Sequence, residues 1–314
     1  MEKKLSFKGI WEVLKNTFSG FSDDKVTKLG ASLAYYTVFS MGPLMIVIIS
    51  LCSIFLGREA VEGEIYQQLN GFVGKETALQ LQEIIKKAAV SGKTTVAAAI
   101  GIGTLIIGAT SVFAEIQDSI NTIWGLKAKP KKSWLKLIQN RFLSFSVIIS
   151  LAFVLLVSLA VTSVIDVISD RLQARFPDVT VILFYIVNQL VTFSVISLIF
   201  GVIFKVLPDA KIKWKDVRSG AMVTAILFMI GKFAISFYIN QSDVGGTYGT
   251  AGSLVVLLLW AYYSSMILYF GAEFTKAYAI KYGSAIHPSD YAVTIKEVEV
   301  EVGKKSIQHA QKES

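Results

Sequence analysis

Six stretches of this chain, at about residues 31–56, 94–113, 142–165, 181–204, 220–240 and 253–273, are apolar over the length of a bilayer crossing. A spanning helix needs about 20 mostly apolar residues to cover roughly 30 Å of hydrocarbon. Buried helices of soluble proteins seldom stay apolar all round over such a length. Composition agrees, because only 17% of the 314 residues are charged, against about 25% in ordinary soluble domains. The expected fold is an all-α integral membrane protein with six transmembrane helices. The first block starts too late and runs too long for a signal-peptide core. Cys52 is the only cysteine and lies inside that block, so it reads as a soft packing residue and no intrachain disulfide can form.

The net charge of +8 is distributed unevenly. When alternate connecting segments are placed on one side, 23 of the 31 Lys and Arg fall together and 7 fall opposite, with Lys232 left inside a span. The positive-inside rule then puts both termini in the cytoplasm. This gives a cytoplasmic segment at 1–30, a six-helix membrane domain at 31–273 and a cytoplasmic polar tail at 274–314. The expected partners are membrane lipids, anionic headgroups among them. Nucleic acid is not expected, and the sequence leaves a homo-oligomer open.

Phe7, Ile10, Trp11, Leu14, Phe18 and Phe21 recur at helical spacing. They predict an amphipathic helix, either lying in the interface or packed on the ends of the bundle. The long loop 57–93 carries two apolar faces and predicts two short amphipathic helices covering the external side. Pro130 stops the helix before a Lys-rich connection, and four glycines between Asn240 and Gly252 predict a tight external turn. Beyond about residue 285 the chain reads as a frayed tail, although Val293 to Val302 alternates as a strand would beside a partner.

Gly42-Pro43 should kink or break the first span, since proline removes a backbone donor and clashes one turn back. Tyr35, Tyr36 and Ser40 precede it and give that helix a polar, aromatic character. A discontinuous helix lining a cavity and a packed kink both fit. In the second span Ala97, Gly101, Thr104, Gly108 and Ser111 form a seam of small residues, which lets helix backbones approach in lipid. The same spacing leads to Glu115, with Asp118 and Asn121 beyond it. Lys232, deep in the fifth span, costs roughly 2.5–3.5 kcal/mol unless paired or hydrated. It either snorkels outward or faces a water-filled cavity. Tyr35, Tyr36, Ser40, Pro43, Glu115, Asp118, Asn121, Lys232 and Glu273 together make the expected substrate path.

Enzyme chemistry is not expected. His287 and His309 are the only histidines, and no zinc spacing, Walker loop or nucleophile elbow occurs. No cofactor or metal is expected.

Three runs carry a family resemblance: Leu33-Ala34-Tyr35-Tyr36-Thr37-Val38-Phe39-Ser40 into Gly42-Pro43-Leu44, Gln117-Asp118-Ser119-Ile120-Asn121-Thr122-Ile123-Trp124, and Tyr248-Gly249-Thr250-Ala251-Gly252-Ser253 leading to Gly271-Ala272-Glu273. Over about residues 10–285 the chain resembles the YihY/BrkB family of bacterial inner-membrane proteins, once labelled ribonuclease BN. The resemblance implies a six-helix membrane protein whose members look like transporters or lipid translocases. The ribonuclease label does not fit, because the His-rich metal motif of that class is missing. The expected function is passage of an anionic or amphiphilic solute through the inner membrane. The alternative is a non-transporting scaffold or envelope-stress factor.

Overall fold

Residues that are apolar on every side pack poorly in water but form stable helices in lipid, where each backbone N–H and C=O must be satisfied within the segment. The computed structural model describes residues 6–56, 95–129, 142–154, 177–241, 251–284 and 286–295, with a few isolated positions between. Helix α1 covers Phe7–Asp23 and α2 Val26–Leu56. Next come α3, Thr95–Ile123, and α4, described over Phe142–Val154. Helices α5, α6 and α7 cover Pro177–Val206, Trp214–Gln241 and Gly252–Tyr282.

Among the described residues, 4 helices are long and apolar enough to cross a membrane: α2, α5, α6 and α7. They coincide with four of the expected blocks. The block 94–113 falls within the 29-residue α3, and the block 142–165 begins as α4 and then leaves the described residues. The spanning helices turn large apolar side chains outward, including Ile182, Leu183, Ile186 and Leu190 on α5 and Ile230, Phe233 and Phe237 on α6.

Association in lipid relies on close packing and not on apolar burial. The interfaces accordingly run through small residues. The ring of Pro43 on α2 lies against Gly108 of the expected small-residue seam on α3, where an added Cβ would come within 2.8 Å of it. Helix α2 runs unbroken through Pro43 for 31 residues, so the expected break is absent and the packed alternative holds. One missing N–H does not end a helix whose neighbour makes room for the ring. The side chains of Ala97, Gly101 and Thr104 lie outside the described residues.

The buried core gathers at one end of the bundle, the end where basic residues collect. There Phe113, Ile116, Ile120 and Ile123 of α3 pack with Phe200, Ile203 and Phe204 of α5 and with Leu268 and Tyr269 of α7. Two short antiparallel sheets close this end. Strand β1, Leu126–Ala128, pairs with β4, Ala292–Thr294, and β2, Ala210–Lys211, pairs with β3, His287–Pro288. Gly125 turns the chain from α3 into β1 at φ 65°, in the left-handed region that favours glycine. Its carbonyl accepts from the Ile295 N–H at 2.7 Å.

The expected frayed tail is therefore corrected over residues 287–294. The first residues of the alternating run, Val293 and Thr294, find a strand partner in this same chain, far away in sequence, and residues 296–302 lie outside the described residues. The described part of the tail also opens in a helix, since α7 continues to Tyr282. The loop 57–93 lies outside the described residues apart from isolated positions, one of which, Ala78, is buried against Val256 and Leu257. The glycine-rich turn at 242–250 lies outside them as well.

Helix α1 docks along the last turns of α7. Ser6 caps it, accepting from the Gly9 N–H at 3.1 Å, and Lys281 pairs with Glu12. The docked face centres on Gly9, Val13 and Thr17, with Leu14 and Phe21 of the bulky apolar set packed beside it. Phe7, Ile10, Trp11 and Phe18 point outward, Phe7 with 90% of its surface exposed. The helix is thus packed on the bundle and still offers an apolar face. At its end, a Cβ on Gly20 would come within 2.5 Å of Glu273 Oε2. Gly20→Val should loosen α1 by about 1–3 kcal/mol, read as faster tryptic cleavage at Lys25 and Lys28 with α7 still protected.

Candidate functional site at the basic end of the bundle

The sequence-predicted residues do not meet in one place. Tyr35 and Tyr36 face outward on α2, and the Tyr35 ring lies 4.7 Å from that of Phe39. Ser40, one turn on, is buried. Lys232 is half-buried on α6 and is not isolated. Its neighbour Gly231 faces Tyr263 of α7. Tyr263 and Glu273 are separated along α7 by roughly 15 Å at 1.5 Å per residue. The remaining acidic and amide residues do cluster, and the fold adds partners to them.

The centre of the cluster is Asp209, which follows Leu207-Pro208 after α5 and is only 2% exposed. Its carboxylate accepts from Gln117 Nε2, Asn121 Nδ2 and the Tyr291 hydroxyl, each at 3.0 Å. Its own N–H donates to Asn121 Oδ1 at 2.8 Å, and its carbonyl accepts from the Ser289 N–H at 2.9 Å. One aspartate therefore ties α3, the α5–α6 connection and the C-terminal segment together. Hydrogen bonds to a charged group are worth about 1.5–3 kcal/mol each, and they compensate the burial of this carboxylate.

Two more carboxylates are buried nearby. Asp216, in the first turn of α6, accepts from the Ser284 N–H at 3.0 Å just past the end of α7. Glu273 is 2% exposed. Lys276 stands between it and Asp24, with Nζ 3.5 Å from Glu273 and 3.0 Å from Asp24. Trp124 donates from Nε1 to the Ala272 carbonyl at 3.1 Å, which joins the end of α3 to the Glu273 turn. Glu115 is half-buried and Asp118 exposed on α3, both near the buried Tyr269, whose hydroxyl points toward Ser119. Gln117 Oε1, Glu273 Oε1 and the Tyr269 hydroxyl make no hydrogen bond of ordinary geometry. Among the described residues no group of three or more His, Cys, Asp or Glu could hold a metal ion.

Asn121, Glu115, Asp118 and Glu273 were legible as a polar set at helix ends, and Gln117 and Asn121 lie in one of the runs that carry the family resemblance. Asp209, Asp216, Tyr291 and Gly20 were not singled out. No local pattern marks an aspartate after a proline as the hub of a network, because its donors arrive from two distant segments, α3 and the C-terminal residues.

Long apolar helices with outward-facing aliphatic and aromatic side chains, joined through small residues and clipped at one end by a polar network, define a multi-pass helical membrane protein. The chain belongs to the virulence factor BrkB family, whose model matches residues 17–291. It is 27% identical over 266 residues to a UPF0761 membrane protein of Vibrio vulnificus, covering 81% of this chain and 78% of that one. A UPF0761 membrane protein of Aeromonas salmonicida is 28% identical over 268 residues, covering 82% and 86%. One from Haemophilus influenzae is 26% identical over 255 residues, covering 81% and 90%. No solved structure matches the chain significantly.

Proposed function

We propose that this protein passes an anionic or amphiphilic solute, lipid included, across the bacterial cytoplasmic membrane. In this reading six helices span, both termini are cytoplasmic, and the molecule is not an enzyme. Six crossings are supported by the connectivity. The chain leaves α3 at the basic end and α5 ends there too, and the apolar α4, described over Phe142–Val154, supports a crossing between them. Residues 1–30 and 274–314 then belong to the cytoplasmic side, α1 laying its exposed Phe7, Ile10, Trp11 and Phe18 among the headgroups.

The observation that supports passage is the pair of buried acceptor atoms left open on α3 and α7, Gln117 Oε1 and Glu273 Oε1, with the Tyr269 hydroxyl near them turned toward Ser119. Each such group costs about 1–3 kcal/mol in a dry core. A passage for water and solute offsets that cost. Lys232 stands farther along the same bundle and supplies positive charge at depth, where an anion would otherwise meet only hydrocarbon. On α2 the route would run along the outward face of Tyr35 and Tyr36, since Ser40 and Pro43 are packed within the bundle. Glu115, Asp118, Asn121 and Glu273 flank its mouth.

Vesicles holding the purified protein test this, with fluorescent lipid scrambling and anion flux measured in parallel. Either activity above empty vesicles is expected, and Lys232→Met should slow it about tenfold, equal to 1.4 kcal/mol on the barrier, while Lys232→Arg largely preserves it. No flux of any probe from correctly folded protein, or flux indifferent to Lys232→Met, would favour the scaffold.

A further inference from the structure

Glu273 is covered by α1. That helix runs antiparallel to the last turns of α7, so that Ser6 meets Tyr282, Glu12 meets Lys281 and Gly20 reaches Glu273. Polar clasps hold it down. Lys276 joins Asp24, just past the end of α1, at 3.0 Å, Lys281 joins Glu12, and the Tyr282 hydroxyl meets the backbone of Ser6 at 3.3 Å. The buried face centres on Gly9, Val13 and Thr17, and the Thr17 hydroxyl donates within its own helix to the Val13 carbonyl at 2.8 Å. A face of small side chains gives up less apolar contact on separation than a bulky one, and Thr17 carries its hydrogen bond with it. Toward the turn into α2, the Phe18 and Phe21 rings lie 5.1 and 6.1 Å from that of Phe270. In that turn Lys25 has φ 51°, the one non-glycine in the left-handed region among the described residues. Backbone held in so sparsely populated a region concentrates at switch segments.

From this arrangement we infer that α1 is a hinged lid on the cytoplasmic mouth, pivoting at Asp24-Lys25 and closing over Glu273. What the lid controls rests on the proposed passage, while the motion stands or falls separately. Closure is opposed from within. Glu273 and Asp24 are two carboxylates facing one ammonium, that of Lys276, and Glu273 Oε1 is left without a hydrogen bond. The Lys276–Glu273 pair lies within α7 and survives opening, whereas water returns to Glu273 and its repulsion by Asp24 falls. Lys276 thus clasps the lid and Glu273 loosens it, which is the balance an opening part requires. Gly20 stands roughly 7.5 Å along the helix from Lys25, so a swing of about 30° lifts it by about 4 Å and lets water in. The outer strip of Phe7, Ile10, Trp11 and Phe18 is exposed with the lid shut, so the helix keeps its footing on the lipid surface as it swings.

Thiol labelling of the full chain in vesicles tests it, in a Cys52→Ser background. Thr17→Cys places a small thiol under the shut lid, where Thr17 is fully buried. Val217→Cys places one in the core cluster at the same end, whose fully buried members include none from α1. A water-soluble thiosulfonate should modify residue 17 at least about tenfold faster than residue 217, because a local opening costs less than opening the core. Lys276→Met should speed labelling of residue 17 about tenfold more by removing the clasp. Raising salt from about 0.1 M to about 1 M, which shortens screening from about 10 Å to about 3 Å, should speed it severalfold. Glu273→Gln, which keeps the shape and removes the repulsion, should slow it. If Lys276→Met also raises the rate at residue 217, Asp24→Asn cuts the same clasp from the other side. A reducible bridge across Glu12→Cys/Lys281→Cys should stop whatever flux the protein carries, and reduction should restore it. Equal rates at residues 17 and 217, a rate at 17 indifferent to Lys276→Met and Asp24→Asn, faster labelling in Glu273→Gln, or flux undiminished by the bridge would each overturn the lid. Absence of flux from every probe would count against the passage alone, since the labelling rates still report the motion.

Discussion

Gly271→Leu should separate α6 from α7 and cost about 3 kcal/mol or more, the upper end of what overpacking a tight contact produces. The two helices meet through a reciprocal pair. Thr275 of α7 sits on Gly220 of α6, and Thr224 of α6 sits on Gly271 of α7, so closely that a Cβ on either glycine would overlap the facing Oγ1. Each threonine hydroxyl is satisfied within its own helix, Thr224 donating to the Gly220 carbonyl and Thr275 to the Gly271 carbonyl, both at 2.7 Å. The contact therefore buries no unpaired hydroxyl and brings two backbones together, the condition under which dispersion can hold helices in lipid. The measurement is the thermal midpoint in detergent, followed by intrinsic fluorescence. Gly271→Ala alone should lower it, and Gly271→Ala/Thr224→Gly should recover part of the loss, because the second change removes the atoms the new methyl meets. A midpoint unmoved by Gly271→Leu would mean that these helices do not approach as described.

Asp209→Ala should be the second severe substitution, at about 3–5 kcal/mol. Three donors, from Gln117, Asn121 and Tyr291, lose a charged acceptor at once, and bonds of that kind contribute about 1.5–3 kcal/mol each without adding fully. The loss should also have a location. The C-terminal strands hang on this residue through the Tyr291 hydroxyl and the Ser289 N–H, so hydrogen exchange at residues 287–295 should accelerate before the spanning helices respond. Tyr291→Phe removes one bond and should reproduce the local effect at about 1.5–3 kcal/mol or less, with the helices unaffected. Uniform acceleration over the whole bundle in Tyr291→Phe would show that the segment is not a separable clip.

Much of this was legible in advance, and the reason is physical. Transfer of a side chain into hydrocarbon is a local and nearly additive quantity, so the spans could be read residue by residue without knowing what touches what. The four spanning helices found by length and composition fall on expected blocks, and the packed alternative for Pro43 needed only one neighbour with a small residue. The same holds for Gly108, since a seam of small residues at helical spacing has few other uses in lipid. The Gly220/Thr224 and Gly271/Thr275 spacing carried a comparable signal, small residues four apart, and could have been read in the same way.

Rotation and long-range pairing were a different matter. Periodicity marked the large apolar residues of α1 but left open whether they meet lipid or the bundle, and the fold divides them: Leu14 and Phe21 pack beside Gly9, Val13 and Thr17, while Phe7, Ile10, Trp11 and Phe18 stay exposed. The alternation after residue 290 was visible, yet whether it pairs depended on β1, more than a hundred positions earlier. Asp209 looked like an ordinary loop residue until α3 and the C-terminal segment converged on it. Hydropathy along the chain determined that this protein lives in a bilayer and roughly where it crosses. Only the folded arrangement decided which polar groups are buried together, since a hydrogen bond between distant residues depends on the position and rotation of every helix that carries them.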